Sequence, residues 1–307
     1  MYDFKIDLVY MWVDGSDPHW LEKKSKYDAN LDLTRKESFS ECRYFDNQEL
    51  RFSLRSVEKY APWINHIYII TDDQIPSWLD EVSDRLTIVD HKEILPNENL
   101  PCFNSTALEW GIANIPNLSE HFIYMNDDMF FCDYVRPSDF FLPDGKPITR
   151  LRKRSLLYYR YKKHSNYAQI VYSSIKRIKV DFGALYAMTP HHCADAYLKT
   201  SYLECREYYK ELVEVTLKNR FRNDSDIHRS IIALYSLVTG KSVLKWVHNT
   251  YDSMHLSNTL KDYKKVIEKF NPMMICLNDN HKSIDKDRER AYAFFNDFFR
   301  KKSNYEK

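Results

Sequence analysis

Phe122-Ile123-Tyr124-Met125-Asn126-Asp127-Asp128-Met129-Phe130-Phe131 decides how this chain is read. An apolar, aromatic run of this kind predicts a buried strand. Towards its C-terminal end sit an amide and two adjacent carboxylates. Two acids cost several kcal/mol to desolvate unless a cation or hydrogen bonds compensate them. The ends of central strands in α/β folds are also where ligands bind. The Asn-Asp-Asp tip therefore suits a divalent metal, a phosphate held through that metal, or a general base. A solvated turn closing the strand is the plain alternative.

Upstream of it, residues 6–13 predict a second buried strand, and Asp14-Gly15-Ser16-Asp17-Pro18 predicts a turn after it. Gly15 would let the backbone approach a ligand closely. Residues 22–46 are polar and read as an exposed loop or short helix. Asp46-Asn47-Gln48-Glu49 has the pattern of a capping box. It opens a helix with Leu50, Leu54, Val57 and Ala61 at helical spacing and Pro62 near its stop. Arg51 and Arg55 share one face of that helix, where they either clamp a diphosphate or face water. Residues 66–71 and 85–90 predict strands, and 104–114 a helix containing Glu109. This alternation argues for an α/β, Rossmann-like layered core over about residues 1–145.

After Pro137 the character changes. Between Gly145 and Val180 there is no Asp or Glu, while eleven lysines and arginines stand among five tyrosines. That segment, 146–179, reads as a solvated basic surface or as a docking face for anionic lipid or a phosphate-bearing polymer. Helices are expected over about 194–219, 226–239, 259–270 and 286–301, giving a largely helical C-terminal part. Tyr292, Phe295 and Phe299 form an apolar stripe that belongs to the core. Thr189-Pro190-His191-His192 offers imidazoles for acid–base work, although a lone histidine is usually structural. Arg220-Phe221-Arg222-Asn223-Asp224 places cations near a helix start, suited to a phosphate. Cys276-Leu277-Asn278-Asp279-Asn280 reads as a polar strand end that could complete a metal or sugar site.

Composition narrows the function classes. The chain has 307 residues, a net charge of +1 and only five glycines. It contains neither GxGxxG nor GxxxxGK[ST], which argues against Rossmann dinucleotide and P-loop chemistry. No GxSxG elbow is present. Its six cysteines form no CxxC pair, so a thiolate zinc site is not expected and a reducing cytosol is. Asp3, Lys5 and Asp7 interrupt any signal peptide, and no apolar run reaches the roughly 18 to 20 residues of a membrane span. The expectation is a soluble or peripheral protein. Aromatics at 15% suit carbohydrate stacking as well as core filling. No nucleic-acid module accompanies the basic stretch, so no nucleic-acid partner is expected.

Four blocks in this order resemble the stealth family, which includes bacterial capsular polysaccharide phosphotransferases and the animal N-acetylglucosamine-1-phosphotransferase α/β subunit. The first is Ile6-Asp7-Leu8-Val9-Tyr10-Met11-Trp12-Val13-Asp14-Gly15-Ser16-Asp17. The second begins at Asn47-Gln48-Glu49-Leu50-Arg51-Phe52-Ser53-Leu54-Arg55-Ser56 and continues to Asn126-Asp127-Asp128. The third covers Pro190-His191 to Arg222, and the fourth is Cys276 to Asn280. They span nearly the whole chain, which implies one domain over 1–307. Large insertions of the animal enzyme are absent, as in a minimal bacterial form.

The resemblance implies transfer of a sugar-1-phosphate from a UDP-sugar to an acceptor hydroxyl of a surface or capsular polysaccharide, with UMP leaving. It matches the family's essential acids to Glu109 and Asp128, its arginine to Arg222 and its histidine to His191, beside which lies His192. The first histidine of the family's His-x-Pro-His is Met188 here, and some members have Asn at Asp14. Within that frame Trp12, Asp14, Gly15, Asp17, Arg51, Arg55 and Asn126 are the donor-binding candidates. Asp127, Asn278 and Asp279 are the candidates to hold Mg²⁺ or Mn²⁺ through oxygen. Asp128 or His191 would take the acceptor's proton, and Arg222 and Arg55 would neutralise phosphoryl charge. The expected location is the cytoplasm, peripheral at the inner face of the cell membrane. A metal-dependent glycosyltransferase releasing UDP and a non-catalytic glycan-binding module are the competing readings.

Overall fold

The computed structural model describes residues 2–28, 46–161, 165–192, 194–248, 250–279 and 282–307. Expectations for 29–45, Lys162, Lys163, Cys193 and Asn280 lie outside the described residues. Strand β1 (Ile6–Met11) is buried over nearly its whole length, as a strand covered on both faces must be. Helix α1 (Pro18–Asp28) follows, then α2 (Glu49–Tyr60), β2 (Ile67–Thr71) and β3 (Leu86–Asp90). Two short helices, α3 (His91–Ile94) and α4 (Ser105–Glu109), precede β4 (His121–Asn126). Strands β2 and β4 flank β1 in parallel, β3 extends beyond β2, and the order is β3-β2-β1-β4. The order reverses at β1, which makes the crevice between the C-terminal ends of β1 and β4 the topological switch point.

The predicted strand over 122–131 is in fact two strands. β4 stops at Asn126, Asp127 and Asp128 make a turn, and β5 (Met129–Phe131) joins another sheet. Consecutive residues of a strand face opposite sides, so a straight strand would send one acid into each apolar layer. The turn avoids this, and Asp127 Oδ1 accepts the Asp128 amide at 3.1 Å. The expected capping box is also displaced. Gln48, at φ 63°, is the N-cap of α2; Asp46 accepts the Gln48 amide, and Glu49 accepts both amides of Asn47.

The C-terminal part is helical as expected but also contains strands that were not foreseen. It comprises β6 (Ile148–Lys153), α5 (Leu157–Tyr161), α6 (Asn166–Phe182), β7 (Met188–Pro190), β8 (Asp195–Leu198), α7 (Lys199–Tyr208) and α8 (Lys210–Lys218). Then come α9 (Ser230–Val238), β9 (Val243–Trp246), β10 (Met254–Ser257), α10 (Tyr263–Phe270), β11 (Met274–Asn278) and α11 (Asp285–Phe298). β8 closes the main sheet antiparallel to β4, while β10-β11-β5 and β7-β6-β9 form small sheets. Helices cover both faces of the main sheet. Leu8, Tyr10 and Ile123 pack with α2, α10 and α11 on one side; Val9, Phe122 and Tyr124 pack with α4, α6, α7 and α9 on the other. The aromatic stripe of α11 is core, with Phe295 stacked on Phe130 at 4.6 Å between centroids.

The basic stretch is not uniformly a surface. Arg150 and Arg152 of β6 point inward, Arg150 bonding the Asp139 carbonyl and Arg152 the Ser253 hydroxyl. Lys146, Lys153, Arg154, Arg160, Lys176, Arg177 and Lys179 remain exposed. Among the described residues no helix is long and apolar enough to cross a membrane.

Candidate active site

In the register of the main sheet, Met11 is opposite Asn126. The turn after β1 and the Asp127-Asp128 turn after β4 therefore emerge side by side at the switch point. Gln74 organises the first turn: its amide exchanges two hydrogen bonds with the Asp14 backbone and donates to Asp17 at 2.9 Å. Trp12 is buried at the end of β1, and Gly15 lies within the turn.

The second turn lies in a field of carboxylates. Burial, then the charge of Asp127, pushes Glu49 up to about 8. Burial also raises Asp46, with Asp14 adding to the effect. Asp127 and Asp128 rise together, chiefly through burial; Asp127 feels Asp128 and Asp46, while Asp128 feels Glu49. Asp128 Oδ2 accepts the Cys276 thiol at 3.3 Å, and Oδ1 is buried without a hydrogen-bond partner. Among the described residues no lysine or arginine pairs with these acids. The arrangement favours a divalent cation with oxygen ligands, or a proton. Asp46 and Glu49 were read from sequence only as a helix cap.

Beneath this corner a polar line runs down β4. The Tyr124 hydroxyl lies 2.8 Å from Asn126 Oδ1 and 3.5 Å from Glu109 Oε1. Glu109 also accepts from Arg229 at 3.1 Å, and its Oε2 is buried without a partner. Arg229 bonds Asp195 and Tyr197 as well and lies over the Tyr124 ring. Burial raises Glu109, while Arg229 and Arg222 oppose the rise. Arg222 donates to Ser105 at the start of α4 at 2.6 Å. Arg229, Asp195 and Tyr197 escaped sequence reading because nothing local marks them; only the fold brings them to Glu109.

The two histidines separate. His191 is fully buried, and both ring nitrogens lack a partner; burial, Arg150 and Arg152 hold it well below the usual imidazole range. His192 faces the acid corner by way of His255 and Cys276, and burial and His255 hold it at about 3. The structure thus brings together Asn126, Asp127, Asp128, Glu109, Arg222 and His192. Arg51 and Arg55 are elsewhere occupied: both grip Glu306, and Arg55 also bonds the Phe299 carbonyl. With those nitrogens satisfied within the chain, they are not a free diphosphate clamp. Asn278 contacts His255 at 3.1 Å, and Asp279 pairs with Arg288 at 2.9 Å.

A mostly parallel sheet covered by helices on both faces defines an α/β protein, with acids, imidazoles and guanidinium groups gathered near its topological switch point. The chain belongs to the Stealth family: conserved region 1 matches residues 4–32 and conserved region 2 matches 43–149. It is 31% identical to exopolysaccharide phosphotransferase cps2G of Lactiplantibacillus plantarum, covering 99% of this chain and 97% of that protein. It is 33% identical to receptor polysaccharide phosphotransferase WefC of Streptococcus oralis, over 92% and 93% of the two chains. Capsular polysaccharide phosphotransferase fcs1 of Haemophilus influenzae is 34% identical, over 96% and 84%. Among solved structures, the galactosyltransferase LgtC with donor and acceptor sugar analogues aligns over 97% of this chain and 96% of its own, at 9% identity and a TM-score of 0.47.

Proposed function

We propose that this protein transfers a sugar-1-phosphate from a UDP-sugar to a hydroxyl of a growing surface or capsular polysaccharide, releasing UMP. The observation that best supports this reading is the switch-point crevice itself. Its buried acids, Asp127 and Asp128, follow directly on the Asn126–Tyr124–Glu109 line, and Glu109 in turn feels the guanidinium groups of Arg229 and Arg222. Phosphoryl transfer depends on positioning and on neutralising non-bridging oxygens. Arg222 is suited to that neutralisation, since one of its donors anchors it to Ser105. Asp128 is suited to accept the acceptor hydroxyl's proton because burial raises its proton affinity. Of the two histidines, His192 is the one on that side and can share this role. Glu109, with one unpartnered oxygen, is suited to a sugar hydroxyl.

Mg²⁺ or Mn²⁺ fits the oxygen-rich side of the corner, held by Asp127 with Asp46 or Glu49 and, from β11, Asn278. Asp279 could join only by leaving Arg288. When bound, such an ion would neutralise the donor's diphosphate. Exposed cations between 146 and 179 would keep the protein at the inner, anionic face of the cell membrane. Binding to anionic vesicles that weakens steeply with salt is expected; salt-independent binding would remove that role.

The test is the nucleotide released from a panel of UDP-sugars with a glycan acceptor and Mg²⁺. UMP is expected. UDP would replace the proposal with glycosyl transfer at the same donor site.

A further inference from the structure

Beside the acid corner is a second group of potential ligands with different chemistry. β10 and β11 run parallel with His255 and Cys276 as partners in register, so both side chains leave the same face of this small sheet. On its other side Cys276 pairs with Met129, directly after the Asp127-Asp128 turn. His192, just beyond β7, brings its ring to 5.0 Å from that of His255. One ligand atom each from His192, His255 and Cys276 lie within 4.8 Å of one another. Asp128 Oδ2 is 3.3 Å from the Cys276 sulfur, and its Oδ1 has no hydrogen-bond partner.

We infer that His192, His255 and Cys276, with Asp128 as the fourth ligand, form a tetrahedral site for a zinc-class divalent cation. Two imidazoles and a thiolate select Zn²⁺ over Mg²⁺ or Ca²⁺, which prefer all-oxygen cages. Zinc bonds of about 2.0–2.3 Å put tetrahedral ligands roughly 3.5 Å apart, so side-chain rotation closes the remaining gap. His255 is exposed while Cys276 is fully buried, which gives an ion a route in and a dry inner wall. Binding displaces the thiol proton into solvent, so affinity rises with pH. The site goes beyond the transfer reading and stands without it: an occupied site would tie β7, β10 and β11 to the turn that bears Asp128 and, by engaging Asp128 and His192 as ligands, would inhibit any proton transfer through them.

The full chain, stripped with a chelator, is titrated with Co²⁺ in the absence of donor and acceptor. One equivalent should bind with intense tetrahedral ligand-field bands and a thiolate-to-cobalt charge-transfer band, and Zn²⁺ should displace it stoichiometrically while excess Mg²⁺ does not. Cys276→Ser should abolish the charge-transfer band. His255→Asn, at an exposed position, should keep that band and weaken Co²⁺ binding by about tenfold or more. Circular dichroism checks folding, and if Cys276→Ser does not fold, His255→Asn decides. No charge-transfer band in the parent protein, a band surviving Cys276→Ser, or unchanged affinity in His255→Asn would overturn the site. None of these results bears on which nucleotide is released.

Discussion

Helix α2 holds two buried carboxylates that titrate in opposite directions. Near its N-terminus, burial and then Asp127 push Glu49 up to about 8. Further along, Arg51 and Arg55 grip Glu306. Burial alone would raise that acid, but hydrogen bonds from Arg55, the Ser303 amide and Arg51 bring it down to about 2. The difference lies in who supplies the positive charge. At Glu306 the chain supplies it and the result is a structural clasp between α2 and the segment after α11. At the acid corner no described lysine or arginine pairs with Asp46, Glu49, Asp127 or Asp128, and burial favours a proton or an external cation there.

The sharpest way to break this contrast is Asp128→Asn. It keeps the size and the turn but removes the charge and the proton acceptor. Turnover should fall by about 10³-fold, with the far-ultraviolet circular dichroism and the thermal midpoint little changed. A folded variant with near-parent activity would make the corner a mere turn.

Next in size is Arg55→Ala at the clasp. It leaves Glu306 with the Ser303 hydrogen bonds and, among the described residues, Arg51, which is more exposed, as its cation, and it unpairs the Phe299 carbonyl. A stability loss of about 3 kcal/mol is expected in urea unfolding, with donor binding retained. The pH signature has a definite sign. Because the folded value lies below the unfolded one, the Glu306 contribution is present above about pH 4.3 and is lost as pH falls towards 2. Arg55→Ala should therefore flatten the acid limb of the stability curve. Lost donor affinity with unchanged stability would return Arg55 to the binding site.

Much of this contrast was legible in the sequence, but unevenly. The Asn-Asp-Asp tip, the Asp14 turn and the α/β alternation could be read because each rests on local periodicity and turn chemistry. The apolar run through 122–131 concealed the chain's passage from one sheet to another at Asp127, since periodicity does not reveal pairing partners. Arg51 and Arg55 share a helix face as expected, yet their partner lies some 250 residues away along the chain. The same limit hid Arg229 and Asp195 from Glu109, and His255 from Cys276, whose register exists only once β10 and β11 pair. Long-range pairings set the site's electrostatics, and no residue pattern encodes them locally.

The smallest effect offers the finest comparison, because it asks whether Glu49 behaves as the opposite of Glu306. Its folded value of about 8 lies above an unfolded value near 4.3, so the native state retains a proton that the unfolded chain releases. Its contribution to stability is then fully present below about pH 4.3 and is lost as pH rises towards 8. The urea midpoint of the metal-free protein should fall between about pH 5 and about pH 8. Glu49→Gln, which keeps an acceptor for the Asn47 amides, should flatten that fall. Saturating Mg²⁺ should also oppose it, since a cation at the corner replaces the missing charge. A flat midpoint in the parent protein would mean that the corner is compensated from within and that Glu49 and Glu306 do not differ in kind; a fall that Glu49→Gln leaves intact would move its origin to Asp127 and Asp128.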